Sequence, residues 1–225
     1  MKRCAVDYRE FRLSKIGDPR FSHLKMLLCW VIYFALYGVT ERWIPVEDCM
    51  VVHSRIDDVI PFCGWFLIPY VLWYGMIVVS LGYFLCYDVA HFRSLQSYFF
   101  FTQMCATAIY ILFPTRQDLR PTEFAQENWL TDCIALLYRF DTNTGVCPSL
   151  HVAGSIAIAS AWCRGKDVPS LAKWVMTALS VLVCLSTMFI KQHSALDVLA
   201  AIPMCLMAEW LIYGKKNCQA LEAMI

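Results

Sequence analysis

The chain has 225 residues, 59% of them hydrophobic, with a mean hydropathy of +0.52 and a formal net charge of +1. Soluble domains average roughly 45–50% apolar and about 25% charged residues. With only 16% charged residues, this chain cannot cover a globule with polar surface; the charge of +1 argues nothing about nucleic acid, and as no basic stripe with interleaved aromatics appears, no nucleic-acid partner is expected.

In chain order, residues 1–23 form a polar arm, expected in the cytoplasm. Its apolar residues Phe11, Leu13, Ile16 and Phe21 are too irregularly spaced to mark an anchoring helix. Mixed residues fill the first 25 positions and no small-residue cleavage site follows, so a cleavable leader is not expected. Six apolar runs come next: Met26 to Thr40, Val59 to Tyr87, a run within Ser94 to Thr115, Leu150 to Cys163, Trp174 to Ile190, and Ala195 to Gly214. A membrane span needs ~20 mainly apolar residues. The shorter runs reach that length with flanking residues and snorkelling lysines. The expected fold is all-α, a polytopic six-transmembrane-helix bundle over residues 24–214, followed by a cytoplasmic tail at 215–225. Strands are not expected, because the alternation of a membrane barrel is absent.

Lysines and arginines set the orientation. With a cytoplasmic N-terminus, inside segments hold 13 of the 19 and outside segments hold 6 (Arg42, Arg55, Arg116, Arg120, Arg139 and Lys191). Both termini are therefore expected inside a multi-pass cell-membrane protein. Most of the 12 cysteines fall in apolar runs, where a thiol behaves as a small hydrophobe. Cys133 and Cys147 share the long outer segment, where a disulfide or two free thiols are both open readings.

Three polar stretches carry reactive chemistry, and this topology puts all three at the outer face. They are "FPTRQDLRP" (Phe113 to Pro121), "CPSLH" (Cys147 to His151) and "STMFIKQHSALD" (Ser186 to Asp197). His193 and Asp197 are four apart, so a helix sets them one turn apart, where a carboxylate can orient an imidazole. Pro148 and Ser149 are ordinary helix-start residues, but a helix N-terminus also gathers free N–H groups that suit a phosphate. Arg116, Arg120 and Lys191 add cations, and arginine's planar fork matches phosphate oxygens. No metal-ligand spacing is visible, so no cofactor or metal is expected.

These motifs resemble those of the type 2 phosphatidic acid phosphatase superfamily, K-x6-R-P, P-S-G-H and S-R-x5-H-x3-D. Here they read Arg120-Pro121, Pro148 to His151, and Ser186 to Asp197. Order and spacing match over roughly residues 100–200. The resemblance implies that His193 attacks phosphorus to form a phosphohistidine, that Asp197 orients it, and that His151 protonates the leaving alkoxide. It implies that Arg120, Ser149 and N–H groups near Leu150 hold the phosphoryl oxygens. Three positions depart from the pattern: Phe113 for lysine, Leu150 for glycine and Thr187 for arginine. Arg116 and Lys191 are candidates to replace the missing cations. "PSLH" with Thr187 looks like the branch that includes inositol phosphorylceramide synthases and bacterial relatives, which contains transferases. The implied activity is a metal-independent lipid-phosphate phosphatase at the outer membrane face. A headgroup phosphotransferase and a non-catalytic lipid-binding member of the same fold stay open beside it. A transporter would want charge near the bilayer centre, and Glu209, near the inner end of the last run, is the one candidate. The expected partners are a lipid phosphate and the bilayer; the sequence does not give the oligomeric state.

Overall fold

The computed structural model describes residues 4–214, so the expected tail at 215–225 and the first three residues of the arm lie outside the described residues. The chain is mostly helical, at 72%, in line with the all-α expectation. The described residues form eight α-helices: α1 Leu28–Trp43, α2 Arg55–Val59, α3 Leu67–Tyr87, α4 Val89–Leu112, α5 Trp129–Phe140, α6 Leu150–Arg164, α7 Ser170–Phe189 and α8 Ala195–Tyr213. Each of the six apolar runs contributes one. The two additional helices come from capping residues in polar loops. Ser54 and Asp57 form a capping box that starts α2, and Asn128 with Thr131 does the same for the amphipathic α5.

Four stretches are long and apolar enough to cross a membrane: Pro19–Thr40, Gly64–Tyr87, Ser170–Phe189 and Ala195–Tyr213. The other two helices of the expected six miss this standard for different physical reasons. α4 has 24 residues, but Gln96, Thr102, Gln103 and Thr107 lower its hydropathy, and all four are buried. α6 has only 15 residues, about 22 Å at ~1.5 Å per residue, against a hydrocarbon core of ~30 Å.

α4 and α6 face inward. Phe92, Leu95, Tyr98 and Phe99 of α4 pack with Ala153, Ala157, Ile158 and Ala161 of α6 in the main core. The small residues on α6 let neighbouring helices approach closely. Three polar side chains in this core find partners: Trp162 Nε1 donates to Ser80 Oγ at 2.8 Å, Tyr98 OH to the Cys205 carbonyl at 3.1 Å, and Trp30 Nε1 to Gln96 Oε1 at 3.1 Å. Outward, large apolar side chains such as Val31, Val78, Trp174 and Leu206 stay exposed. This pattern suits a lipid solvent. α1 lies against α4 rather than closing the bundle beside α3.

The arm is docked rather than free. Ala5 N–H donates to the Cys86 carbonyl at 2.7 Å and Tyr8 OH to the Leu85 carbonyl at 2.9 Å, while Phe21 and His23 are buried. Glu209 forms a 2.7 Å ion pair with Arg164 at this same end of the bundle. At the opposite end, the loops are tied together by two short strands. β1 Met50–Val51 pairs in parallel with β2 Thr115–Arg116, and Arg116 also bridges Thr144. A small second core of Leu67, Tyr70, Leu130, Ile134 and Ile190 seats α5 over the start of α3 and the end of α7.

Candidate functional site

The site is built where α6 and α8 begin. Ser194 caps α8, its hydroxyl accepting from Leu196 N–H at 3.2 Å, while Asp197 in the first turn accepts from Ser194 N–H at 2.9 Å. That capping box turns the carboxylate back along the chain. Asp197 Oδ2 is then 3.2 Å from His193 Nδ1. Asp197 is fully buried and His193 is 9% exposed. With Nδ1 engaged by the carboxylate, Nε2 is the nitrogen left for a ligand. The His193 backbone is fixed as well: its N–H and that of Gln192 both reach the Thr187 carbonyl, at 3.0 and 2.9 Å. The Thr187 hydroxyl turns away, to the Cys184 carbonyl at 2.8 Å.

Ser149 caps α6, accepting from Val152 N–H at 3.4 Å. Its own N–H donates to the Asp197 carbonyl at 3.1 Å, so the second and third sequence motifs are bonded directly. His151 follows in the first turn. Its ring stacks on Tyr70 at 4.2 Å, lies against Trp73 at 4.2 Å, and stands 6.1 Å from the His193 ring. His151 Nε2 is buried without a hydrogen-bond partner. Gly154 makes this packing possible, because a Cβ there would meet Trp73 Cζ2 at 2.8 Å. The first-turn N–H groups of Leu150 and His151 have no acceptor within the helix.

Both histidines, Leu150 and Gln192 line a cavity of about 210 Å³. Aromatic rings line it as well, Trp30, Tyr33 and Tyr37 from α1 and Trp73 and Tyr74 from α3. Phe34 and Tyr74 line it yet are 60% and 51% exposed, so the cavity opens between α1 and α3. Its floor carries Asp141, a residue the sequence reading missed. Asp141 accepts from Tyr37 OH at 3.1 Å, Tyr70 OH at 3.3 Å and Gln192 Nε2 at 3.0 Å.

His193, Asp197 and His151 are brought together as expected. The candidate phosphate ligands are not brought to the cavity: Arg116, Arg120, Ser149 and Lys191 are all absent from its lining. Arg120 donates to the carbonyls of Tyr138, Asp141 and Thr142 and to Gln192 Oε1, and its guanidinium covers the Tyr138 ring at 4.6 Å. It holds the Asp141 loop and the Gln192 amide from behind. Arg116 is a strand residue 3.4 Å from Asp118. Ser149 uses its hydroxyl as a helix cap. Lys191 adopts a left-handed φ of 56° at the end of α7. Its ammonium reaches the carbonyls of Asp57 and Ile60, closing the C-terminus of α2.

Asp57 completes that attachment. Its carboxylate accepts from Ser194 Oγ at 2.6 Å and Ala195 N–H at 2.7 Å, besides Ser54 in its own loop. Burial would raise its pKa, but these bonds outweigh burial and hold it below the usual carboxylate value. Beside Asp197 lies Cys147, whose thiol is pushed up to about 12 by burial and by the neighbouring carboxylate. Cys133 and Cys147 are both free thiols, Cys133 exposed on α5. Among the described residues, no group of three or more His, Cys, Asp or Glu side chains is placed to hold a metal ion. Compared with protein-family models, with curated proteins and with solved structures, the chain matches none.

Proposed function

We propose that the chain is an integral membrane enzyme that cleaves a phosphoric ester of a lipid through a phosphohistidine on His193. The observation that carries this reading is the paired imidazole. A buried carboxylate holds Nδ1 of His193, His193 lines a cavity, and a second imidazole with an unpartnered nitrogen stands 6.1 Å from it, ring to ring. This is the orienting-group, base and acid arrangement of covalent catalysis. Nε2 attacks phosphorus, the P–O bond to the lipid alkoxide breaks, and His151 delivers a proton to that oxygen. Water then adds to phosphorus, returns a proton to His151, and the N–P bond breaks. The N–H groups of Leu150 and His151 at the α6 N-terminus hold the phosphoryl oxygens, in place of the side-chain cations suggested by sequence.

The same proposal reads α4 and α6 as the inner members of a six-span bundle, with both termini cytoplasmic and His193 at the outer face. A second reading, transfer to a lipid alcohol instead of water, is favoured by the opening between α1 and α3, which faces the expected bilayer. The resemblance to type 2 phosphatidic acid phosphatases and to inositol phosphorylceramide synthases supports both. Purified protein in maltoside micelles, given a panel of short-chain phospholipids with and without an acceptor alcohol, tests the proposal. Wild-type protein is expected to release phosphate or a phosphorylated headgroup and His193→Ala none; release by His193→Ala at the wild-type rate contradicts it.

A further inference from the structure

The cavity beside His193 has the wrong electrostatics for an anion alone. Its lining holds one carboxylate, Asp141, two histidines, and neither lysine nor arginine. The nearby cations are committed elsewhere, Lys191 to the carbonyls of Asp57 and Ile60, and Arg120 to three carbonyls and Gln192. Asp141 is held in place by Tyr37, Tyr70 and Gln192, which fix its carboxylate at the cavity floor. Lining the same cavity are the rings of Trp30, Tyr33, Tyr37, Trp73 and Tyr74. Aromatic faces combined with a carboxylate attract a weakly hydrated organic cation and give nothing to a second phosphate.

We infer that the cavity receives the headgroup of an ammonium-bearing phospholipid, with the ammonium among the aromatic rings and Asp141 and the phosphate at His193. The identification of the phosphate end rests on the catalytic reading above; the ammonium end rests on the aromatic wall and Asp141. A cavity of about 210 Å³ accommodates a headgroup and not the acyl chains, and the gap between α1 and α3 leaves those chains in lipid. In the reaction, the bond from phosphorus to the diacylglycerol oxygen breaks and the headgroup phosphate is carried on His193. His151 supplies the proton to the diacylglycerol oxygen.

Binding, measured apart from turnover, separates the two readings. The full chain in maltoside micelles is titrated by calorimetry with dioctanoyl phosphatidylcholine, phosphatidylglycerol and phosphatidate, as wild type and as His193→Ala. The choline lipid is expected to bind both proteins more tightly than phosphatidylglycerol. Asp141→Asn is expected to weaken the choline lipid roughly tenfold while leaving phosphatidylglycerol unchanged. Tyr74 is half exposed and its loss does not threaten folding, so Tyr74→Leu serves as a second variant, expected to weaken the choline lipid by roughly fivefold. Equal or tighter binding of phosphatidylglycerol or phosphatidate, or a choline affinity unmoved by both variants, overturns the inference. Preferential choline binding without turnover would refute the catalytic reading and leave the ammonium site standing. Cleavage of phosphatidate without choline binding would do the reverse.

Discussion

Asp57→Asn tests how the loop between α1 and α3 holds the turn that carries His193. Asp57 accepts four hydrogen bonds, two of them from Ser194 and Ala195, which are 137 and 138 residues away in sequence. Hydrogen bonds to a charged group contribute about 1.5–3 kcal/mol each. Asparagine keeps its one oxygen at the Oδ2 position, where three of the four bonds are accepted, and turns its N–H₂ toward Ala195 N–H, so one of the two long-range bonds is lost. The expected loss is about 1.5–3 kcal/mol, a fall in Tm of roughly 3–12 °C for a chain of this size. The sign of the pH dependence follows from the lowered pKa of Asp57. Its contribution is complete above the unfolded carboxylate value of about 3.9 and is lost as pH falls through the lower native value. The gap in Tm between wild type and variant is therefore full at neutral pH and closes in strong acid. Tryptophan-fluorescence melting in maltoside, repeated across that range, reads it. A variant that melts with wild type at neutral pH, or a gap that persists unchanged in strong acid, refutes the attachment.

Lys191 divides into two effects that substitution can separate. Lys191→Gly relieves a left-handed φ that costs an L-residue roughly 1–2 kcal/mol but loses the bonds to α2, whereas Lys191→Met keeps the φ and loses the bonds. The expected order of Tm is wild type, then glycine, then methionine, and equal melting of glycine and methionine variants contradicts it. Cys147, its pKa raised to about 12 by burial and Asp197, stays protonated at pH 7.5, so maleimide followed by peptide mass spectrometry is expected to modify Cys133 and spare Cys147; comparable rates at both would show that the thiol is not shielded. Gly154→Ala forces Trp73 off its place beside His151, with an expected loss of about 1–3 kcal/mol and a shift in tryptophan emission. An alanine variant with wild-type Tm and spectrum would show that the indole does not need that space.

The parts of the fold and site that depend on local sequence were legible before the structure. Apolar runs marked the six longest helices, and the four-residue spacing anticipated the His193–Asp197 contact, but for another reason than expected: His193 precedes α8, and the Ser194–Asp197 capping box, not a shared helical turn, brings the carboxylate to it. Long-range relations were not legible. Asp141 meets Tyr70 across 71 residues and Gln192 across 51, and no local pattern marks such a meeting. Arg120 and Lys191 were read by charge, but charge does not reveal that backbone carbonyls, rather than a ligand, receive it. The capping pattern Ser54-x-x-Asp57 was present in the sequence as a signal for α2. Its further reach to Ser194 depends on Lys191 turning the chain through a left-handed conformation, which lysine's own preference does not suggest. Buried glutamines and threonines keep α4 less apolar than the four long stretches, although its run was legible in the sequence, because those side chains pack inside the protein.

The most direct measurement is the site of the covalent adduct. Wild-type protein is mixed with a short-chain phospholipid that it turns over, quenched in alkaline denaturant to preserve a phosphorus–nitrogen bond, digested, and mapped by mass spectrometry. His193 is the expected position of the adduct in the quenched wild-type protein, and the adduct is absent in His193→Ala. An adduct on another residue, or turnover by His193→Ala at the wild-type rate, contradicts a nucleophilic His193.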